Sequence, residues 1–277
     1  MLSEEWFTDQ LELHWSLIIE LDNDPQPLIK HIENDNPKLL GKYFESLISF
    51  WFYVSPHFEL VAKNIKFKDN KLTTGEADLL VIDLYSGELR QIELACKYYL
   101  GLNNSSAHKN WIGPNGTDSL ALKIDKLERQ TSVFYTKPGY LFLNQNNLKQ
   151  PEVKIIMKGF FFHHYKVIAS NKTPYSADIH YNSGWFIHIN EIDALFGSLE
   201  QWVVLPKFLW PCLYNFQEGT ETILNGEQMI KKCKEEISKN KRAILIAQVV
   251  VLEGSVREIS RGFVITDKWP NGSDSSM

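Results

Sequence analysis

The sequence predicts an α/β protein whose elements run helix, three strands, helix, strand (α-β-β-β-α-β), with α+β additions toward the C-terminus. Three observations carry this. Residues 38–53 place Leu40, Phe44, Leu47, Ile48 and Trp51 at helical spacing. Three extended segments, 57–67, 76–84 and 89–100, follow directly, separated by the turn-forming stretches Lys68-Asp69-Asn70-Lys71 and Tyr85-Ser86-Gly87-Glu88. A second helical pattern over 118–134, with Leu120, Ile124, Leu127 and Phe134 on one face, then leads into an apolar strand from Val153 to Phe162.

The remaining elements follow in order. Leu11, Leu13, Trp15, Leu17, Ile18 and Leu21 predict a helix over 11–21, ended by Asp22-Asn23-Asp24-Pro25. Pro37 and Pro56 bracket the helix at 38–53. The polar stretch 101–119 reads as a long loop, a feature that in compact domains is often functional. Trp185 to Ile189 and Val203 to Leu205 read as strands, Glu227 to Lys239 as a helix, and Ala243 to Leu252 with Ile259 to Thr266 as a final hairpin. The small polar tail Asn271 to Met277 is expected to fray. A soft boundary near Ser170-Asn171-Lys172-Thr173-Pro174 divides a core with N-terminal helices, 1–165, from an α+β extension, 166–277.

Composition bounds the class. The chain has 277 residues, 44% of them apolar, with eight Trp and sixteen Phe, enough for a substantial core. A net charge of −5 and a pI near 5.9 exclude a histone-like binder but leave room for a local basic groove. Cys96, Cys212 and Cys233 are odd in number and scattered, so a disulfide framework or zinc knuckle is not expected, and a reducing cytoplasm is the simple reading. Met-Leu-Ser-Glu-Glu-Trp-Phe does not read as a signal peptide. The longest apolar stretch, Leu47 to Val54, falls short of the ~20 residues that span a bilayer, so no membrane association is expected.

The chemistry concentrates in two adjacent strands, Gly75-Glu76-Ala77-Asp78-Leu79-Leu80-Val81-Ile82-Asp83 and Gln91-Ile92-Glu93-Leu94-Ala95-Cys96-Lys97-Tyr98-Tyr99-Leu100. Charges inside apolar strands need partners, a metal or a task. Asp78 and Glu93 on neighbouring strands suit a hard cation such as Mg²⁺ or Mn²⁺, and Glu45 on the preceding helix suits a third position. Such a cation polarises a phosphate and activates water. Lys97 shares a face with Glu93 and would offset charge in the transition state, although four residues of strand span ~13 Å. The plainer alternative is a buried Glu93–Lys97 ion pair, or a strand half in solvent.

These residues resemble the PD-(D/E)XK nuclease superfamily. Its core is α-β-β-β-α-β, a mixed central sheet flanked by helices in the restriction-endonuclease manner. Gly41-Lys42-Tyr43-Phe44-Glu45 matches the first-helix glutamate, Asp78 the first acid and Glu93 the second. Over its whole length the chain is similar to an uncharacterised bacterial family, a domain of unknown function with a nuclease-like fold. That likeness rests on Gly75-Glu76-Ala77-Asp78-Leu79, on Glu93 to Leu100, and on Trp111-x-Gly113-Pro114-Asn115 followed by Asp118, Leu120 and Lys123. Arg261-Gly262-Phe263-Val264 and Trp269-Pro270 extend it. The superfamily lysine stands two residues after the second acid, where this chain has Ala95; Lys97 or Lys123 would have to substitute, or the site is degenerate.

The resemblance implies a Mg²⁺- or Mn²⁺-dependent nuclease acting on DNA. In it Asp78 and Glu93 bind metal, Glu45 assists and Lys97 supports catalysis, while Lys123, Gln130, Trp111 and Asn115 flank the substrate. The alternative is a non-catalytic member that binds nucleic acid or a protein through the same groove. Lys123 and Gln130, seven apart on one helix face, read more simply as exposed polar residues, and Trp111 also reads as a loop anchor. His163-His164 and His188 read as structural or surface histidines. Residues 231–242 carry six Lys or Arg against Glu235 and Glu236, a basic run that fits either a phosphate backbone or a solvated helix face.

Overall fold

A computed structural model of the chain describes residues 2–69, 72–170, 172–178, 181–195, 200–217, 219 and 222–270. The helices and strands run α1 (Glu4–Leu13), α2 (Trp15–Asn23), α3 (Gln26–Asp35), α4 (Leu40–Val54), β1 (Phe58–Asp69), β2 (Leu72–Asp83), β3 (Leu89–Gly101) and β4 (Trp111–Ile112). They continue with α5 (Leu120–Thr131), α6 (Lys137–Gln145), β5 (Glu152–His164), β6 (Asn182–His188), β7 (Gln201–Val204), β8 (Asn215–Gln217), β9 (Leu224–Asn225), α7 (Gly226–Asn240), β10 (Ile244–Leu252) and β11 (Ser255–Ile265). The protein is α/β, with a large mixed sheet and helices.

The chain divides into two interleaved units, Met1–Cys96 with Ile124–Lys158, and Lys97–Lys123 with Gly159–Met277. Sequence could not show the interleaving, because β3 and β5 each begin in the first unit and end in the second.

In the first unit, the single helix expected over 11–21 is two helices. They meet at His14, whose ring is tied to Gln10 O (2.8 Å) and to Ser55 Oγ (2.6 Å). Ser3 caps α1 by accepting from Trp6 N. A left-handed Asn36 closes α3, a helix the apolar spacing did not announce. Helix α4 forms where its stripe predicts, but of the expected positions only Phe44 is fully buried; Phe50 and Phe52 are buried with it, while Leu40, Leu47, Ile48 and Trp51 are half-buried. Strands β1 and β2 form a long antiparallel pair, and a separate core gathers Phe67, Ala77, Leu80, Leu89, Val133, Phe134 and Leu143. At Gly75 an added Cβ would stand 2.5 Å from Val133 Cγ2, so this approach of β2 needs a glycine.

In the second unit the strand order is β5-β6-β11-β10-β7-β9, with β8 beside β11 and β4 beside the end of β3. The pairs β5–β6 and β6–β11 are parallel; β11–β10, β10–β7 and β7–β9 are antiparallel. The expected final hairpin is β10–β11. Helix α7 starts with a capping box between Asn225 and Gln228 and buries Met229, Cys233 and Ile237 against Trp185, Trp202, Ile246 and Val264. Gly159, at φ +146°, lies so close to Lys97 O that an added Cβ would stand 1.7 Å from it. The tail 271–277, and Asn70 and Lys71 of the expected β1–β2 turn, lie outside the described residues.

Candidate cation site where two strands part

Strands β2 and β3 pair antiparallel from Ile82↔Leu89 to Leu79↔Ile92. The next residue on each strand is an acid, Asp78 on β2 and Glu93 on β3. Continuing the register one step sets these two residues opposite each other. Asp78 Oδ2 accepts a hydrogen bond from Leu94 N at 2.9 Å, so its carboxylate occupies the place of a strand carbonyl at the gap. Ala77 and Leu80 flank the site and are both buried in one core cluster. On β1, the left-handed Asn64 (φ 46–57° is the range of most such residues in the chain, and its own is 54°) falls between the pairs Lys63↔Leu79 and Ile65↔Ala77, level with Asp78.

Glu93 is fully buried, and Asp78 nearly so. Gln91, also fully buried, donates from Nε2 both to Glu93 Oε1 (2.8 Å) and to the Gln130 carbonyl (2.9 Å). The side-chain oxygens of Gln91 and of the buried Gln130 accept no hydrogen bond among the described residues.

Glu45 forms an ion pair with Lys42, whose Nζ also donates to Asn64 Oδ1 at 2.9 Å. The three residues line a cavity of about 260 Å³ together with Asp35, Ser46 and Ser49. Lys63 and Ser46 both bond the Asp35 carboxylate. Among the described residues no three His, Cys, Asp or Glu side chains form a metal-holding group, so Glu45 does not complete a triad with Asp78 and Glu93.

In the second unit, Lys97 pairs with Asp118 at 2.5 Å. Tyr99, two residues on, has a hydroxyl with no hydrogen bond among the described residues, and burial, then the Asp118 charge, push its pKa upward. Trp111 is wholly buried, with Nε1 donating to Ser105 O and its ring edge-on to Phe161 and His163. The ring anchors the loop, as the plainer reading of Trp111 expects. Asn115 is exposed, and its Oδ1 accepts from Ala243 N at 3.4 Å. Lys123 is half-buried on α5.

The other polar features are buried or have partners of their own. His163 is buried, which lowers its pKa; His164 contacts Glu191 and His188 contacts Thr266 O. In the basic run, Lys231, Lys232 and Lys234 pair with Glu235, Glu236 and Asp193. Sequence reading missed Gln91, Lys42 and Asn64. The available signal for Gln91 was its place two residues before Glu93 in an apolar run, which puts both on one face.

A family model described as a domain of unknown function (DUF1853) matches residues 2–265. The chain belongs to this family. No curated protein and no solved structure gave a match. As a DUF1853 member it carries Asp78, Glu93 and the Trp111 loop within the matched span. The residue types suit a hard cation: two carboxylates from adjacent strands, one of them bonded by Gln91, whose amide oxygen accepts no hydrogen bond among the described residues. Magnesium is commonly held by one or two protein carboxylates and completes its shell with water.

Proposed function

We propose that this protein is a divalent-cation-dependent phosphodiesterase that cleaves DNA, built on a restriction-endonuclease-like core, with Asp78 and Glu93 holding the cation. The observation that carries the reading is the end of the β2–β3 ladder at Leu79↔Ile92, with a buried acid as the next residue on each strand. Buried carboxylates at a break in a ladder are costly unless they serve a charge. The cation, Mg²⁺ or Mn²⁺, would supply polarisation of the phosphate and a lowered pKa for a bound water.

The residues of the chain divide the remaining work. Asp78, tied to Leu94 N, keeps one carboxylate oxygen in a fixed place. Glu93 is oriented from β3. Lys42, ion-paired with Glu45 and bonded to Asn64 in the cavity lining, would offer a positive charge to a phosphate only by exchanging its Glu45 partner. Lys97 is held by Asp118, and the reading assigns it no step.

The test is degradation of linear, circular and single-stranded DNA with Mg²⁺ or Mn²⁺. The wild type should cleave, and Asp78→Asn and Glu93→Gln should not. Equal cleavage by all three would overturn the assignment.

A second reading is a non-catalytic scaffold that binds nucleic acid or a protein. It is favoured by the Lys97–Asp118 pair, which occupies the lysine nearest the expected place, and by the lack of a three-residue metal-holding group among the described residues. DNA retention without cleavage by the wild type would select it.

A further inference from the structure

We infer that Gln91 is the positioning residue of the cation site, a clamp that fixes the Glu93 carboxylate to the backbone of α5. The inference rests on the reading of Asp78 and Glu93 as cation ligands. Its basis is the hydrogen-bond geometry. Gln91 Nε2 donates to Glu93 Oε1 at 2.8 Å and to Gln130 O at 2.9 Å. Both partners only accept: one is a carboxylate oxygen, the other a main-chain carbonyl. The amide therefore has one possible orientation, with nitrogen toward both acceptors. Its two N–H groups are then fully used.

This arrangement has a mechanical consequence. Glu93 is reached through three rotatable bonds, and an unclamped carboxylate would sample several rotamers. Gln91 is fully buried, two residues away on the same strand face, and is itself pinned by a helix backbone that side-chain substitution does not move. One oxygen of Glu93 is thus fixed in place, and that fixes the direction of the whole carboxylate plane. The Gln91 oxygen, left without a donor among the described residues, adds to the negative potential of the site. The same atom would be expensive to bury unless a positive charge were nearby.

Residues that orient a metal ligand typically change affinity by about 10–100-fold when removed. The experiment is titration of the metal-free full chain with Mn²⁺, read by calorimetry and by water-proton relaxation. Gln91→Met keeps the length of the side chain and removes both donors. Gln91→Asn keeps the amide but is one methylene too short to span both acceptors, and it serves if the Met variant does not fold. Glu93→Gln reports on the site itself.

The expected result is Mn²⁺ binding by the wild type and its loss in Glu93→Gln. The Gln91 variants should bind about tenfold or more weakly, with higher relaxivity of bound Mn²⁺ because a loosened carboxylate cedes a position to water. A purely structural role would alter unfolding but not the hydration of the bound ion. Unchanged affinity and relaxivity in both Gln91 variants, with binding lost in Glu93→Gln, would overturn the clamp and leave the site standing. Wild-type binding no stronger than that of Glu93→Gln would overturn the site, and the clamp with it.

Discussion

The carboxylate of Asp78 accepts a hydrogen bond from the backbone N–H of Leu94, the residue that follows Glu93 on the neighbouring strand. One side chain thereby supplies an acceptor just beyond the last pair of the ladder, Leu79↔Ile92. The bond separates the structural task of Asp78 from its charge.

Asp78→Ala leaves the buried Leu94 N–H without an acceptor and should cost about 1–3 kcal/mol. Asp78→Asn retains a side-chain oxygen for that bond and should cost less than about 1 kcal/mol, while losing the charge a cation requires. Urea unfolding of the two variants checks the difference. Equal losses would mean that the hydrogen bond is not what holds the gap.

Trp111 and Asn115 belong to one loop but should answer differently. Trp111→Ala removes a wholly buried indole and should destabilise by about 3–5 kcal/mol. Asn115→Ala removes an exposed amide with one long hydrogen bond and should change stability by about 0.5 kcal/mol or less. Thermal unfolding followed by circular dichroism separates them. A stable Trp111→Ala variant would return the indole to the surface.

Gly159 offers a sharper backbone test. Its φ of +146° and the 1.7 Å approach of an added Cβ to Lys97 O leave no room for a side chain. Gly159→Ala should destabilise by more than about 2 kcal/mol, since a rigid backbone oxygen must move. Near-wild-type unfolding would show that the two strands part more easily than described.

Three histidines predict a pH dependence. Burial lowers the pKa of His14, with His57 adding to it; burial and Lys63 lower that of His31; burial lowers that of His163. Each ring is bound less tightly by a proton in the folded chain than at its ordinary value of 6.5. Their stabilisation is therefore complete above that value and is lost as pH falls below it toward the folded pKa values. The urea midpoint should be lower at about pH 5.5 than at about pH 7.5. A His14→Gln variant should show a shallower fall than the wild type, and an equal fall would remove His14 from the account.

Much of the fold was legible because its signals are local. The α4 stripe, the three strands β1 to β3, α7 and the final hairpin each announce themselves by period. Helix α3 and α6 were not legible: both are short, and α3 depends on a left-handed Asn36 for its end. Strands β4 and β9 are two residues long, too short for any alternation to register.

Of the candidate site, the acids were legible as charges inside apolar runs. Their partners were not, because those depend on register and on distant chain. Leu94 N reaches Asp78 across a gap, Gln91 finds a carbonyl 39 residues away, and Lys97 finds Asp118 in a loop 21 residues on. A lysine four residues past Glu93 looked free for chemistry until its counter-ion was seen.

The central claim is that Asp78 and Glu93 share one cation. Anomalous diffraction from a crystal of the full chain soaked in Mn²⁺ tests it most directly. The account predicts a single strong peak within about 2–2.5 Å of an oxygen of each carboxylate. A peak that touches only one of them, or its absence from the gap between β2 and β3 while Mn²⁺ binds elsewhere, would contradict it.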